Sequence, residues 1–571
     1  SLFGPAAAVR AVSGHTPAFH DLAAQAPAVE FYSADTRDAL ARAIEQKSQS
    51  IGGARRLALV CEPARRDDLA ARARTALLRG ETLPEGAHFG ETKVEGEMSF
   101  VFTGPAGASR GMGASLFLAL PRLLDEVGAN WRGVRADAGW VFEEGDGHPS
   151  AEEKLWGAAL VSQAHAVFTQ QILGLKPQAA IGMSSGETNA LFAMGAWRNI
   201  DALREALHKD RMYSHVLAGR FDVLSDWGPE AAWDNWRVLA PVDRIREALA
   251  AEPRAHLTLI YTNDDACIGG APDACLRLVE KLGRERCRKL GYDLVIHAPE
   301  LEPAREAWLR VHTHPTAPPP GVRFYSHAIL DSYIPTAESA AGNLLAQALT
   351  TVDFPALINK AWNDGVRIFI EHGPRQGCTR WISTILKGRP HLALPLDVDP
   401  TTSLTTAVES AARLFAAGVP VDLPGLATAL PRDTPAWKPR RPLTLPAHAS
   451  PVRAREVAAP TQATPEGVER MARAPRLPGI GLVSVAPPAS PPESPGPLAP
   501  SAFLSAGKAQ PLLSATLEAQ PLDSSPSAVA AASAPASPAT PAHPVHVEYQ
   551  RLLLAHQQFV ELQTQVHTAF L

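Results

Sequence analysis

The sequence lacks the features that mark membrane, secreted and nucleic-acid-binding proteins. No stretch approaches about 18 uninterrupted apolar residues, and no charged segment precedes an apolar run at the start. Lys and Arg total 54 against 59 Asp and Glu, a net charge of −5, and neither sign forms a long block. Because a nucleic-acid-binding face is basic, we expect neither a nucleic-acid partner nor a membrane span.

Cysteine is scarce, and its spacing argues against structural zinc. The five cysteines are an odd number without CxxC spacing or neighbouring histidine pairs. This pattern fits a reducing compartment, so we expect buried thiols, no metal and a cytoplasmic protein. The 571 residues are enough for several domains. Because the chain begins at Ser1 and ends within a helical pattern at Leu571, we expect it to be a segment of a longer polypeptide.

Proline marks the main division of the chain. Between 451 and 545 it occurs among Ala and Ser, as in the run 486–497. This composition buries too little apolar surface to offset the entropy of ordering, so it predicts a disordered linker. From 546 to 571, Leu552, Phe559 and Val566 are spaced seven apart, which predicts a helix. This helix either packs on its own chain or docks on a neighbouring module, and the pattern does not decide between the two.

Before the linker, apolar runs typical of strands alternate with helical patterns. This alternation predicts an α/β fold with mainly parallel strands. The predicted strands cover 57–61, 99–103, 179–181, 257–261, 294–296 and 366–370. The predicted helices cover 36–48, 67–78, 152–173, 187–194, 201–213 and 272–290.

One turn carries the pattern of a catalytic serine. Gly182-Met183-Ser184-Ser185-Gly186 lies between the predicted strand at 179–181 and the predicted helix at 187–194. In a GxSxG nucleophile elbow the glycines permit a tight turn, Ser184 points outward and the N–H of Ser185 faces a developing oxyanion. The alternative is a Gly-Ser loop of an ordinary α/β fold. Spacing alone does not choose a base among the 19 histidines.

Four separated motifs resemble, in order and spacing, the acyltransferase domains of fatty-acid and polyketide synthases. They are FTGPAGASRGMG at 102–113, IGMSSGE at 181–187, HAPELEP at 297–303 and FIEHGP at 369–374. The runs SSGETNALFAMGAW at 184–197 and EHGPRQGCT at 371–379 are similar, more narrowly, to the acyltransferase domains of bacterial polyunsaturated fatty acid synthases. The resemblance covers residues 27–446.

The resemblance implies an enzyme that acylates Ser184 from one thioester and passes the acyl group to a second thiol, with His297 as the base. It also implies that a main-chain carbonyl, placed at Gln347, orients His297. Without the resemblance, His297 would be a capping or surface histidine and Gln347 an ordinary helix residue. The implied substrates are acyl-CoA and phosphopantetheinyl carrier-protein thioesters, with no permanently bound cofactor. The implied partners are an acyl carrier protein and neighbouring synthase domains.

Three positions depart from that family's pattern. Met183 replaces a histidine just before the nucleophile. The loop that supplies a second oxyanion N–H has Pro105, which has no N–H, so either Ala106 substitutes or the oxyanion hole is weaker. Where malonyl-selective relatives have an arginine that binds the free carboxylate, this chain has Lys209. Lys209 is either a point-charge partner for substrate or a solvated helix residue, and we expect no malonyl selectivity.

The resemblance also implies a domain organisation. A lead segment at 1–28 precedes a small α/β linker domain at 29–92 and an acyltransferase domain at 93–412. The latter would combine an α/β-hydrolase-like large lobe with an inserted ferredoxin-like small lobe at 238–296. A segment at 413–450 would wrap back along both domains, before the disordered linker at 451–545 and a terminal docking-type helix at 546–571.

Three other functions stay open on the sequence alone. With water as the acceptor, Ser184 and His297 would make a thioesterase that releases the finished acyl chain. An independent serine hydrolase would use Ser184, Asp353 and His372. A catalytically silent scaffold is the third, and Pro105 and the terminal helix favour it.

Overall fold

The computed structural model describes residues 26–143 and 148–431, and the structural statements below concern these residues. Nearly all of the lead segment, residues 432–450 of the predicted wrapping segment, the predicted linker at 451–545 and the predicted helix at 546–571 lie outside them. No helix of the two described ranges is long and apolar enough to cross a membrane.

Residues 28–90 form a small antiparallel sheet with two helices. Its elements are β1 (Ala28–Ala34), α1 (Arg37–Glu45), β2 (Arg55–Cys61), α2 (Arg66–Arg79) and β3 (Ala87–Gly90), with strand order β1-β2-β3. Thr36 caps α1, because its side chain accepts from the N–H of Ala39. Gly80 ends α2 in the left-handed conformation, with φ 66°.

The next segment supplies two neighbouring strands and six helices. They are β4 (Glu97–Phe102), α3 (Ala114–Ala119), α4 (Arg122–Asn130), α5 (Val134–Ala138), α6 (Ala151–Val167), β5 (Ala179–Gly182), α7 (Gly186–Ala193) and α8 (Ile200–Lys209). Ser150 and Glu153 form a capping box at the start of α6. From Trp156 onward α6 is buried on almost every face, so it packs as an internal helix beside the sheet.

A second antiparallel sheet follows in sequence. It comprises β6 (Asp234–Val238), α9 (Val242–Leu249), β7 (Ala255–Thr262), β8 (Asp265–Gly270), α10 (Pro272–Leu282) and β9 (Cys287–Lys289). The strands lie in the order β7-β8-β6-β9, and each pair of neighbours is antiparallel. The two helices therefore connect strands that are not adjacent.

The remaining elements complete the large sheet. They are α11 (Arg305–His312), β10 (Arg323–Ser326), β11 (Asp331–Tyr333), α12 (Ala337–Leu349), β12 (Val352–Asp353), α13 (Phe354–Asn363), β13 (Val366–His372), α14 (Gly377–Ile385), β14 (Leu392–Pro395), α15 (Ser403–Ala416) and α16 (Leu423–Ala429). The six-stranded sheet has the order β11-β10-β5-β4-β13-β14 and is parallel except for β11. Strand β12 pairs with β7 and extends the second sheet to five strands.

The parallel strands bring several loops to one edge of the six-stranded sheet. Because β4, β5, β10 and β13 run in one direction, the loops that follow them meet at their carboxyl ends, where open α/β sheets bind ligands. Gly104 follows β4, Ser184 follows β5 and Arg375 follows β13. This edge therefore gathers three of the four motifs that carry the resemblance.

The expected α/β class is confirmed. The expectation of mainly parallel strands holds only for the six-stranded sheet, because the other two sheets are antiparallel apart from the β12–β7 pair. Three local predictions are wrong. Residues 294–296 form no strand, and the N–H of Val295 instead donates to the carbonyl of Leu217 at 2.9 Å. The helix predicted to reach 290 ends at Leu282, because Gly283 takes φ 102° and β9 follows. The helix predicted to reach 213 ends at Lys209, two residues before Arg211 takes φ 53°.

Candidate functional site

Ser184 lies in a strained turn between β5 and α7. Its φ is 57°, a left-handed conformation that costs a residue with a side chain on the order of 1 kcal/mol or more. A Cβ at Gly182 would lie 2.0 Å from the N of Glu187, and one at Gly186 would lie 2.1 Å from the O of Phe102. Only glycine fits at either position, so the two glycines allow the tight turn that presents Ser184 at the carboxyl edge.

A histidine distant along the chain contacts this serine. His297 Nε2 lies 2.7 Å from Ser184 Oγ, although the residues are 113 positions apart. On the other side of the ring, Nδ1 lies 2.9 Å from the main-chain oxygen of Gln347, in the last turn of α12. Because a carbonyl oxygen only accepts, Nδ1 carries the proton and the lone pair of Nε2 faces the serine hydroxyl.

The environment of His297 keeps its imidazole neutral. The side chain is almost fully buried, and burial lowers its pKa to about 4, while the hydrogen bond to Gln347 acts in the opposite direction. The desolvation effect is the larger one, since charging an imidazole away from water is costly. At neutral pH the ring can therefore take a proton from Ser184.

The side chain of Gln347 makes a further link that no local pattern predicts. Its Nε2 donates to the main-chain oxygen of Ser184 at 3.2 Å. The residue is 3% exposed, and its Oε1 is buried without a hydrogen-bond partner in the described part of the chain. One residue thus contacts the histidine through its main chain and the serine turn through its side chain.

A buried carboxyl group behind the turn was also not predicted from the sequence. Glu187 accepts from the Oγ of Ser326 at 3.0 Å and from the N–H of His327 at 2.8 Å. The ring of His327 donates through Nε2 to the oxygen of Gly182 at 3.1 Å. Burial raises the pKa of Glu187 to about 8, against the two hydrogen bonds. The sequence signal that could have identified Glu187 is its position directly after the GxSxG turn.

Ser184, His297 and Gln347 line one cavity of about 760 Å³, its open mouth included. Most of the wall is aliphatic or aromatic, and the residues that supply this part are Pro105, Ala106, Leu155, Met183, Tyr213, Leu217, Leu259, Tyr261, Tyr292, Leu294, Ile296, Trp308, Leu344 and Ala348. No Asp, Glu, Lys or Arg among the described residues lines it. Burial raises the pKa of the three tyrosines, so their hydroxyls stay neutral. The cavity accordingly favours an uncharged ligand.

Two residues of the cavity wall have a backbone N–H without an acceptor in the described part of the chain. Ser185 and Ala106 both line the cavity. Pro105 opens a short 3₁₀ turn at Pro105–Gly107, and a Cβ at Gly104 would lie 3.6 Å from the Cβ of Ser184. Within the described ranges, neither the N–H of Ser185 nor that of Ala106 donates to an acceptor. The proline at 105 therefore leaves the next N–H available.

Other candidate residues are not brought to this site. Lys209 is exposed at the end of α8 and does not line the cavity. Asp353 caps α13, because its Oδ1 accepts from the N–H of Ala356 at 2.9 Å. His372 is buried with Nδ1 2.9 Å from the oxygen of Ile370 and Nε2 2.9 Å from Thr169 Oγ1. The alternative triad of Ser184, Asp353 and His372 is therefore not assembled.

The described ranges hold no cluster of three or more His, Cys, Asp or Glu side chains suited to a metal ion. All five cysteines lie within these ranges and are free thiols. The expectation of buried thiols holds for Cys267, Cys275 and Cys378 and is wrong for Cys61 and Cys287, which are half-buried.

Known proteins resemble this chain in both sequence and fold. It is 27% identical over 284 residues to a subunit of the polyunsaturated fatty acid synthase of Thraustochytrium sp., covering 46% of this chain and 14% of that protein. It is 26% identical over 362 residues to 5-methyl-1-naphthoate synthase of Streptomyces sahachiroi, covering 61% of this chain and 19% of that protein. The chain thus matches only a small part of these relatives.

Solved structures show the same fold. The acyltransferase domain from module 8 of the salinomycin polyketide synthase aligns with a TM-score of 0.56 at 20% identity, over 70% of this chain and 98% of that domain. The domain from the second module of that synthase gives 0.54 at 21% identity, over 68% and 88%. The family model of the acyl transferase domain matches residues 99–389, just over half of the sequence. The chain therefore belongs to the acyl transferase domain family.

Proposed function

We propose that this chain transfers acyl groups between thiols through an acyl-enzyme at Ser184. The observation that carries the proposal is the pair of contacts at His297, 2.7 Å from Ser184 Oγ on one side and 2.9 Å from the Gln347 carbonyl on the other. The first contact gives the serine a base, and the second fixes the tautomer that can act as one.

The reaction divides into two similar halves. In the first, His297 Nε2 takes the proton of Ser184 as Oγ attacks the thioester carbonyl carbon. The C–S bond then breaks, and the leaving thiolate takes the proton back from His297. In the second half His297 deprotonates the incoming thiol, its sulfur attacks the acyl carbon, and Ser184 leaves with the proton. The N–H groups of Ser185 and Ala106 stabilise the oxyanion in both halves.

The acyl group is uncharged. The cavity offers apolar and aromatic side chains and no cation, and a malonyl carboxylate would lose its water there without gaining a partner. We therefore assign Lys209 no contact with substrate and infer that malonyl is not the preferred group. The substrates are acyl-CoA and phosphopantetheinyl carrier-protein thioesters, with no bound cofactor.

The proposal extends to the surrounding chain. Strand order β7-β8-β6-β9 with two crossover helices supports a ferredoxin-like lobe, and since β6 starts at Asp234 we place its start there, four residues before the predicted range of 238–296. The parallel sheet with its serine turn supports an α/β-hydrolase-like lobe. The small sheet at 28–90 fits a linker domain at 29–92, before an acyltransferase domain at 93–412 and a wrapping segment at 413–450. The partners are an acyl carrier protein and neighbouring synthase domains, as in a multidomain synthase. Free thiols support a cytoplasmic location.

The test follows an acyl group from a CoA thioester to an acyl carrier protein and to water in the same reaction. We expect carrier acylation to exceed free-acid release, and we expect S184A and H297A each to abolish both. H372A is the matched control, because it removes a buried histidine that makes no contact with Ser184. Release of free acid as the main product would assign the dyad to a thioesterase, and full activity of S184A would refute the mechanism.

A further inference from the structure

We propose that Arg375 anchors the phosphate at the far end of the pantetheine arm that presents the acyl thioester to Ser184. The proposal rests on the acyl-transfer function proposed above and adds a binding residue outside the cavity. The ligand group is a phosphate ester joined through pantetheine to the reacting sulfur. This chemistry is shared by CoA and by the phosphopantetheinyl group of a carrier protein.

The phosphate of such a substrate must lie outside the cavity. The cavity wall has no Lys or Arg among the described residues, so it offers a phosphate no counter-charge. Burying an unpaired anion in an apolar pocket is costly. The acyl chain and the sulfur therefore enter, while the phosphate stays at the surface within the length of the arm.

Arg375 lies at the same edge of the large sheet as the dyad. It follows β13, is exposed, and packs its side chain on the loop that borders the cavity. A Cβ at Gly107 would lie 3.1 Å from the Cγ of Arg375, and Gly107 closes the 3₁₀ turn that contains Pro105 and Ala106. The aliphatic part of the Arg375 side chain thus packs on the end of the turn that contributes Pro105 and Ala106 to the cavity wall.

The guanidinium of Arg375 has spare capacity to bind an anion. Its Nη2 donates to the Oγ of Ser109 at 3.3 Å. The main-chain N–H, not the guanidinium, donates to the carboxylate of Asp397 at 3.4 Å. Asp399 follows on the same loop. Both carboxylates interact electrostatically with Arg375, although neither hydrogen-bonds to the guanidinium nor lies within ion-pair distance of it in the described part of the chain. A planar guanidinium with free donors matches the geometry of phosphate oxygens.

The distance from Arg375 to the serine matches the arm. A Cβ at Gly104 would lie 3.6 Å from Ser184 Cβ, and the 3₁₀ turn from Gly104 to Gly107 spans about 6 Å. Adding the 3.1 Å contact at Gly107 places the Cγ of Arg375 within about 16 Å of Ser184 Cβ. A pantetheine arm has about 13 bonds from sulfur to phosphorus, and at backbone-like spacing it extends to about 15 Å. Because this distance of about 16 Å follows the turn, it is an upper bound on the direct distance, and the arm is therefore comparable in length to the separation between Ser184 and the side chain of Arg375.

The backbone at Arg375 gives independent support. Its φ is 70°, a conformation that glycine adopts freely and that is strained for a residue with a side chain. The chain keeps an arginine where a glycine would fold with less strain. Strain of this kind clusters at ligand-binding positions. It also supplies a clean variant, because R375G removes the guanidinium and relieves the strain together, so we expect its melting temperature to equal or exceed that of the wild type.

The experiment compares thioesters of one acyl group on pantetheine, 4′-phosphopantetheine, CoA and an acyl carrier protein. For the wild type we expect kcat/KM for phosphopantetheine to exceed that for pantetheine about tenfold, mainly through KM. R375G should bring this ratio close to one while leaving kcat/KM for the pantetheine thioester within about twofold of the wild-type value. R375K should restore part of the ratio. R380A is the matched control, since Arg380 is also exposed and lies five residues further along.

Each outcome decides the proposal. If R375G lowers kcat/KM for both the CoA thioester and the carrier-protein thioester, one phosphate site serves both substrates. If it lowers kcat/KM for only one of them, the site is assigned to that substrate. The assignment of Arg375 is overturned if R375G lowers kcat/KM equally for the pantetheine and phosphopantetheine thioesters, or if it lowers kcat/KM for neither. If pantetheine thioesters acylate Ser184 and the phosphate makes no difference, only this proposal fails. If no thioester acylates Ser184, the proposed function itself fails.

Discussion

Replacing Gln347 by Met separates its side-chain contact from its main-chain contact. The variant keeps the carbonyl that accepts from His297 and removes the Nε2–H···O bond to Ser184, which is 3.2 Å long. A neutral hydrogen bond of this kind contributes about 1 kcal/mol. If that energy is used to hold the serine turn in its reactive geometry, acylation of Ser184 should slow about fivefold.

The stability of the same variant should change little. Met also removes Oε1, which is buried without a partner in the described ranges and costs about 1–3 kcal/mol in that state. Loss of the bond and loss of the orphan oxygen oppose each other, so the free energy of unfolding should stay within about 1–2 kcal/mol of the wild type. The expected signature is a slower reaction in a protein of nearly unchanged stability.

Rapid-quench measurement of single-turnover acylation, with thermal unfolding in parallel, tests this expectation. A346M is the matched control, because Ala346 is the preceding residue of α12, is half-buried and does not line the cavity. An unchanged rate in Q347M would show that the side-chain contact does nothing for the serine turn. If Q347M loses nearly as much acylation rate as H297A, the carbonyl of Gln347 alone does not orient His297.

Four further outcomes follow from the site. A106P removes the second free N–H and should lower kcat about 10²- to 10³-fold in a steady-state transfer assay. A106G is the control, because it keeps the N–H and should keep most of the rate. Equal rates in the two variants would exclude Ala106 from the oxyanion hole. The acylation rate of Ser184 should be at least about 100-fold higher with uncharged acyl donors than with malonyl-CoA, since burying the extra carboxylate costs several kcal/mol. Comparable rates would contradict the claim that the cavity favours an uncharged ligand. Because His297 has a pKa of about 4, the acylation rate should be constant from pH 8 to 6 and fall as the pH approaches 4, and a midpoint near 6.5 would refute this environment. The carboxyl of Glu187, with its pKa raised to about 8, binds a proton more tightly in the folded state, so its contribution to stability is complete below about pH 4.5 and is lost as the pH rises through 8. In denaturant titrations between pH 6 and 8, the free energy of unfolding of E187Q should therefore depend less on pH than that of the wild type. The same pH dependence in both proteins would show that Glu187 is charged in the folded state.

The parts of the fold that followed from the sequence are those with a strong local pattern. The apolar strands at 99–103, 179–181 and 366–370 are adjacent in the centre of the large sheet, where both faces are buried. Gly283 was visible as a helix-ending signal, and extending that helix to 290 ignored it. The run at 294–296 is buried like a strand, but it has no ladder partner, and apolar pattern alone does not distinguish those two cases.

The site was predictable only where a motif carried it. The GxSxG pattern gives the serine turn from local chemistry, because only glycine fits at 182 and 186. His297 came from the resemblance, since no local signal distinguishes it from the other histidines. The side chains of Gln347 and Glu187 act through contacts between segments distant in sequence, and those contacts exist only once the sheet has brought its loops together.

Intact-protein mass spectrometry after a short incubation with an acyl-CoA tests the central claim most directly. We predict a mass increase of one acyl group on the wild type, mapped by peptide analysis to Ser184, at unchanged extent in H372A and absent from both S184A and H297A. An adduct that persists in S184A, or one that forms at the wild-type rate in H297A, would contradict the account.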